Sequence, residues 1–184
     1  MTAYVALLRA VNVGGTGKLP MTDLKRLCEE AGFQSVRTYI ASGNVVFDSS
    51  LSEARVKKAL ESRMEEYAGK PVGVLVRTGL ELAQVVADNP FPDAKASWCV
   101  ALFLDEAPPK DALQTVKGQQ DEQVALGRRE IYVNYGAGMG RSKLAIPAAK
   151  GATARNMNTI AKLAQMAEEV SPAPAKSRPK RGKA

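Results

Sequence analysis

The sequence contains no histidine, and this absence excludes every mechanism that depends on an imidazole group. Ser-His-Asp triads, Cys-His pairs and histidine general bases are all ruled out. A structural zinc site needs about four Cys or His ligands, and the chain has only two cysteines. We therefore predict no metal site and no cofactor, although carboxylate sites for magnesium or calcium remain open. Any proton transfer must use Asp, Glu, Lys, Tyr, Cys or water.

Cysteine, aromatic residues and long apolar runs are also scarce. Cys28 and Cys99 are too few for the disulfide framework of a small secreted protein, and each follows an apolar pattern typical of a buried thiol. The longest apolar segment, residues 3–8, is far shorter than the ~18 residues that a membrane span requires. No signal peptide is recognised at the N-terminus. We expect a cytoplasmic protein that does not enter the membrane.

Positive charge is in excess, but most of the excess lies at one end. The net charge is +7, with 26 Lys and Arg against 19 Asp and Glu. Residues 171–184 have five cations and no acid, which leaves only 21 cations for the 19 acids of residues 1–170. Proline and small residues separate these cations, so we predict a disordered basic tail. It suits either weak contact with nucleic acid or mere solubilisation. The five cations are Lys176, Arg178, Lys180, Arg181 and Lys183.

Hydrophobic periodicity predicts an α+β chain of two subdomains followed by the tail. Residues 1–78 have the ferredoxin-like order β-α-β-β-α-β, beginning with a strand over residues 4–13. Residues 79–170 follow a related β-α-β-β-α order, with a short helix over residues 110–117 and a final helix that Thr153 can cap.

The first candidate site follows from this topology. The first two strands of a split βαβ unit are parallel, so the loops after them lie at the same sheet edge. A glycine-rich loop and a tight turn meet there, and they suit an anion or a small polar ligand. The alternative is a structural turn in which Asn12 binds backbone groups. The loop does not match a P-loop. The candidates are Arg9, Asn12, Gly14, Gly15 and Lys18 on the loop, with Ser42, Gly43 and Asn44 on the turn.

A second glycine-rich segment, residues 136–140, precedes Arg141, Ser142 and Lys143. Alternate glycines beside two cations suit a phosphate cradle, and equally suit a flexible connecting loop. Arg155 and Asn156, placed in the first turns of the last helix, either join this cluster or only cap and solvate the helix end. The third strand has a single aromatic residue, Phe47, so the stacking platform of an RNA-recognition module is missing.

Five ordered segments resemble a bacterial family. They are R-A-V-N-V-G-G-T-G-K-L-P-M from Arg9, R-T-Y-I-A-S-G-N-V-V-F from Arg37, N-P-F-P from Asn89, G-R-S-K-L from Gly140 and T-A-R-N-M-N-T from Thr153. Together they resemble the domain-of-unknown-function 1697 family over residues 3–168. The resemblance implies two α+β subdomains, the first ferredoxin-like, and no settled activity.

These observations predict a protein that binds a polar or anionic small ligand, such as a phosphate-bearing molecule, through its glycine-rich loops. No nucleophile–base pair is apparent, so no reaction is predicted. The alternative is a nucleic-acid-associated protein that uses the basic tail and the same loops. A protein–protein module without a ligand is the third hypothesis.

Overall fold

A computed structural model of the chain describes residues 1–12, 18–136 and 138–170. Within them, eight strands form two antiparallel four-stranded sheets, and four α-helices pack with these sheets. The strands are β1 Thr2–Leu8, β2 Gln34–Tyr39, β3 Asn44–Ser49, β4 Val74–Thr78, β5 Cys99–Phe103, β6 Gln123–Leu126, β7 Glu130–Asn134 and β8 Thr153–Asn156. The helices are α1 Met21–Glu30, α2 Glu53–Ala68, α3 Gly79–Ala87 and α4 Met157–Val170. The predicted α+β class with two sheet-forming halves is confirmed. The basic tail, Gly14 and Gly15 lie outside the described residues.

The first sheet has the strand order β2-β3-β1-β4, and its elements follow the predicted order β-α-β-β-α-β. Both β1 and β2 pair antiparallel with β3, so they point in the same direction and their carboxyl ends share one edge. The turn between β2 and β3 is tied to the end of β1 by a 2.8 Å hydrogen bond from Leu8 N–H to the Gly43 carbonyl. The topology therefore brings the two predicted loops together.

The second sheet has the order β6-β7-β5-β8 and contains one strand more than predicted. Residues 153–156, expected at the start of the last helix, form β8 and pair with β5. Thr153 is therefore not the helix cap. Instead, the Asn156 side chain accepts a 3.0 Å hydrogen bond from Thr159 N–H at the start of α4. The helix expected over residues 110–117 is a single 3₁₀ turn, Ala112–Thr115.

Two hydrophobic cores lie on opposite faces of the first sheet. One core packs α1 and α2 against the outer face, and the other fills the space between the sheets with α3 and α4. Burial on both faces explains why β1 is apolar almost throughout instead of alternating with polar residues. Cys28 belongs to the first core and Cys99 to the second, and both are buried and free, as predicted. Burial raises the pKa of the Cys28 thiol to about 12, so it is a poor nucleophile at neutral pH.

β1 ends five residues earlier than the predicted limit of residue 13. Leu8 is its last residue, and the next two residues bend away from the sheet. Ala10 and Asn12 both adopt left-handed backbone, with φ of 52° and 56°. The apolar sequence continues beyond β1 because Val11, in the loop, is buried in the first core, and not because the strand extends.

No helix in the described part of the chain is both long and apolar enough to cross a membrane.

Candidate functional site

Asn12 fixes the loop that follows β1. Its amide donates hydrogen bonds of 2.9 Å to the Leu19 carbonyl and 2.8 Å to the Ala41 carbonyl. Its side-chain oxygen accepts a 2.7 Å hydrogen bond from Leu19 N–H. Asn12 thus joins the β1 loop, the segment before α1 and the β2–β3 turn. Its side-chain amide and oxygen both bind backbone groups, as expected for the structural turn that was the alternative from the sequence.

Gly43 allows the β2–β3 turn to pack directly on β1. Its φ of 77° is left-handed, a conformation that glycine adopts without strain. A Cβ atom at this position would lie 2.4 Å from Cγ2 of Val11 and 2.9 Å from Cβ of Leu8. Only glycine fits this close approach, so residue 43 determines how tightly the two loops meet.

Arg155 reaches the same edge from β8 of the second sheet. Its Nε donates to Oδ1 of Asn44 at 2.6 Å, and its Nη2 donates to the carbonyls of Ser42 at 2.8 Å and Leu8 at 3.0 Å. Its Nη1 donates to the carbonyl of Ala154 at 2.8 Å. These acceptors are all neutral. Burial lowers the pKa of Arg155 to about 10, so the group stays charged at neutral pH and leaves a positive charge at this edge.

Asn44 completes this arrangement from the start of β3, where it is fully buried. Its Nδ2 donates to the Tyr39 carbonyl and to Oγ of Ser42, both at 2.9 Å. Because its Oδ1 is the acceptor for Arg155, both polar atoms of the Asn44 side chain are engaged inside the protein. Asn44 is therefore engaged within the protein, whereas Ser42 is partly exposed and its hydroxyl oxygen accepts the hydrogen bond from Asn44.

A cavity of about 840 Å³ opens between the end of β1, the segment before α1 and the end of α2. Its described lining does not include Ser42, Gly43, Asn44 or Arg155. Arg9 and Lys18, both predicted from the sequence, line it together with Lys70, and no carboxylate is among the described residues of its lining. None of these three cations forms an ion pair with a described carboxylate. The lining residues are Arg9, Ala10, Val11, Lys18, Leu19, Met64, Tyr67, Ala68, Lys70, Pro71, Val72 and Gly73.

Two contacts shape the wall of this cavity. Arg9 N–H donates a 2.9 Å hydrogen bond to the Gly73 carbonyl, which ties the end of β1 to the segment before β4. The Tyr67 hydroxyl donates a 2.7 Å hydrogen bond to Oδ2 of Asp23, and this contact raises the pKa of Tyr67. The Asp23 carboxylate therefore lies next to the cavity lining, although Asp23 is not itself one of the described lining residues. The phenol stays protonated at neutral pH.

The second glycine-rich segment has different partners. The Ser142 hydroxyl donates to the carboxylate of Glu122, and this hydrogen bond lowers the pKa of that carboxyl. Ser142 also accepts a 3.1 Å hydrogen bond from Leu144 N–H. Arg141 and Lys143 are exposed. Arg141, Ser142 and Lys143 are absent from the described lining of the cavity, whereas Asn156 caps α4.

Lys70 was not recognised from the sequence. It follows Gly69, whose left-handed backbone (φ 67°) ends α2 at the cavity. In the sequence, Lys70 stands between a helix-ending glycine and Pro71, which is a common pattern after a helix. That Lys70 lines the cavity depends on where the end of α2 lies relative to β1, and the local sequence does not determine this.

Arg77 and Arg129 form a second cluster, which the sequence did not indicate. Arg77 is 1% exposed, and it donates hydrogen bonds to the carbonyls of Val76, at 2.8 Å, and Arg129, at 3.0 Å. Arg129 in turn donates to the Glu53 carboxylate at 2.7 Å. The cluster joins β4 to the β6–β7 hairpin, so it connects the two sheets. The sequence feature that could have indicated this cluster is Arg77 itself, a charged residue within the otherwise apolar run of β4.

The described residues contain no group of three or more Asp, Glu or Cys placed to hold a metal ion. With buried thiols and no histidine, the site offers cations and hydrogen bonds, not an activated nucleophile. Arginine and lysine side chains in such an arrangement can pair with an anionic group.

Comparison with known proteins bears on the fold. A family model described as "Protein of unknown function (DUF1697)" matches residues 1–132. Among solved structures, this chain is similar to the conserved bacterial protein SP0830 from Streptococcus pneumoniae, with a TM-score of 0.75 and 24% sequence identity. That match covers 91% of this chain and 99% of the other, and at this identity it supports the fold alone. No curated protein matches this chain.

Proposed function

This chain belongs to the family of proteins of unknown function DUF1697, and we propose that it binds a small anionic molecule in the cavity beside β1. The observation that carries the proposal is the lining of this cavity. Arg9, Lys18 and Lys70 line it from three separate segments, and no carboxylate is among its described lining residues; the Asp23 carboxylate beside the lining accepts the hydrogen bond from Tyr67. The volume of about 840 Å³ is within the range of small-molecule sites, roughly 300–1,000 Å³.

Electrostatics favours an anion at this position. Like charges that converge on a concave surface raise the local potential and attract counter-ions. Arg155 adds a buried cation at the same end of β1, and its hydrogen bonds all go to neutral oxygens. A bound anion reduces the repulsion among these groups, and the partly enclosed cavity strengthens the attraction relative to bulk water.

Charge reversal at Lys70 tests the proposal. We expect the K70E variant to bind inorganic pyrophosphate at least about tenfold more weakly than the native protein, because a charge-assisted hydrogen bond contributes about 1.5–3 kcal/mol. K110E is the matched control, since Lys110 is exposed outside the cavity and its reversal changes the net charge equally. Titration calorimetry at low ionic strength gives both affinities. Equal weakening by the two variants would show that only the overall charge matters.

The nucleic-acid alternative concerns the basic tail, which can be altered separately. Changing its five Lys and Arg residues to serine in the full chain should leave pyrophosphate affinity within about twofold, because the three cavity cations remain. If binding of pyrophosphate disappears with the tail charges, the cavity is not the site.

A further inference from the structure

The cavity has an apolar wall as well as its cations. Eight of the twelve described lining residues are apolar or aromatic. Val11, Leu19 and Met64 among them belong to the first hydrophobic core, and Val72 packs against that core. These three core side chains are almost fully buried, so the apolar surface that faces the cavity comes mainly from residues at the edge of the core, Ala10, Tyr67, Ala68, Pro71 and Val72. The eight residues are Ala10, Val11, Leu19, Met64, Tyr67, Ala68, Pro71 and Val72.

The lining combines charge with apolar surface, and every cation is followed in the chain by an apolar lining residue. Arg9 follows β1, Lys18 precedes α1 and Lys70 follows α2, whereas Met64 and Tyr67 come from the last turns of α2. A bare phosphate satisfies the cations but leaves water against the apolar wall, which is unfavourable. A ligand that has both an anionic group and a hydrocarbon part satisfies both surfaces.

We propose that the ligand is an amphipathic anion, a phosphate or carboxylate that carries an alkyl or aryl body. The anionic group is held by Arg9, Lys18 and Lys70, and the hydrocarbon body lies on the wall formed by the core edge. This inference rests on the proposed anion-binding function and adds the class of molecule that binds.

Three probes separate the two parts of the ligand: hexyl phosphate, inorganic phosphate and hexanol. We expect the full-length protein to bind hexyl phosphate at least about tenfold more tightly than inorganic phosphate, because burial of two methylene groups already gives this factor. Hexanol should show no saturable binding at the same concentrations. Titration calorimetry in one buffer measures all three.

Conservative variants then assign the apolar contact. V72T keeps the shape of the side chain but replaces a methyl with a hydroxyl, so hexyl phosphate should bind about threefold more weakly while inorganic phosphate is unaffected. The control is V86T on α3, where Val86 is outside the described lining of the cavity and 36% exposed. It should change neither affinity. K70E should weaken both phosphates.

The outcomes distinguish this inference from the function on which it rests. Equal affinities for hexyl phosphate and inorganic phosphate, both lowered by K70E, would overturn the amphipathic ligand and keep the anion site. The same follows if V72T leaves the hexyl phosphate affinity unchanged. Hexanol binding as tightly as hexyl phosphate, with no effect of K70E, would overturn both, as would the absence of binding by all three probes.

Discussion

Replacing Gly43 with alanine should lower the free energy of unfolding by about 2–5 kcal/mol, the sum of left-handed backbone strain and overpacking. The new Cβ would lie 2.9 Å from Cβ of Leu8, an atom fixed by β1, as well as 2.4 Å from Cγ2 of Val11. Neither atom is the far end of a flexible side chain, so the turn itself must move. Urea denaturation should show a lower midpoint with an unchanged slope.

Gly32 is the matched control for this substitution. It also has a left-handed φ, of 84°, but a Cβ there would meet no atom within 4 Å. Gly32→Ala should therefore cost only the backbone part, about 1–2 kcal/mol. If the two variants lose the same stability, the close packing of the β2–β3 turn on β1 is not what requires glycine at residue 43.

Replacing Arg155 with methionine should lower the free energy of unfolding by about 2–4 kcal/mol. Each buried acceptor that loses its donor costs about 1–3 kcal/mol of stability, and removal of the desolvation cost of the buried cation offsets part of this loss. The acceptors are Oδ1 of Asn44 and the carbonyls of Ser42 and Leu8. Pyrophosphate affinity should fall as well, since the edge loses a positive charge.

Arg155→Lys separates the two effects. Lysine keeps the charge but lacks the planar fork that reaches several carbonyls at once. We expect stability between that of the native protein and R155M, with pyrophosphate affinity close to native. Denaturation and calorimetry on the same samples measure both. If R155K binds as weakly as R155M, the contribution of Arg155 is geometric and its charge is not part of the site.

Local patterns predicted the elements of the first half and the meeting of its two loops. Apolar residues at helical spacing predicted α1 and α2, and the positions of the first three strands followed from the order of the elements. Arg9 and Lys18 were placed in the same region for this reason, and both line the cavity. The family resemblance is confirmed by the match over residues 1–132.

Long-range contacts account for what the sequence did not show. Residues 153–156 form a four-residue edge strand, too short for a periodic pattern, and only pairing with β5 defines it. The sequence did not show the role of Arg155 either, because Asn44 and Ser42, to which it donates hydrogen bonds, lie more than 100 residues away in the chain. Ser142 likewise has Glu122 as its partner, a pairing that no spacing rule indicates.

The binding of hexyl phosphate inside the cavity is most directly tested by a crystal structure of the full-length protein grown with that compound. We expect its phosphate within hydrogen-bonding distance of at least two of Arg9, Lys18 and Lys70, with the hexyl chain against Val72 and Tyr67. A phosphate bound at Arg141 and Lys143 instead, or a cavity that stays empty at saturating ligand, would contradict it.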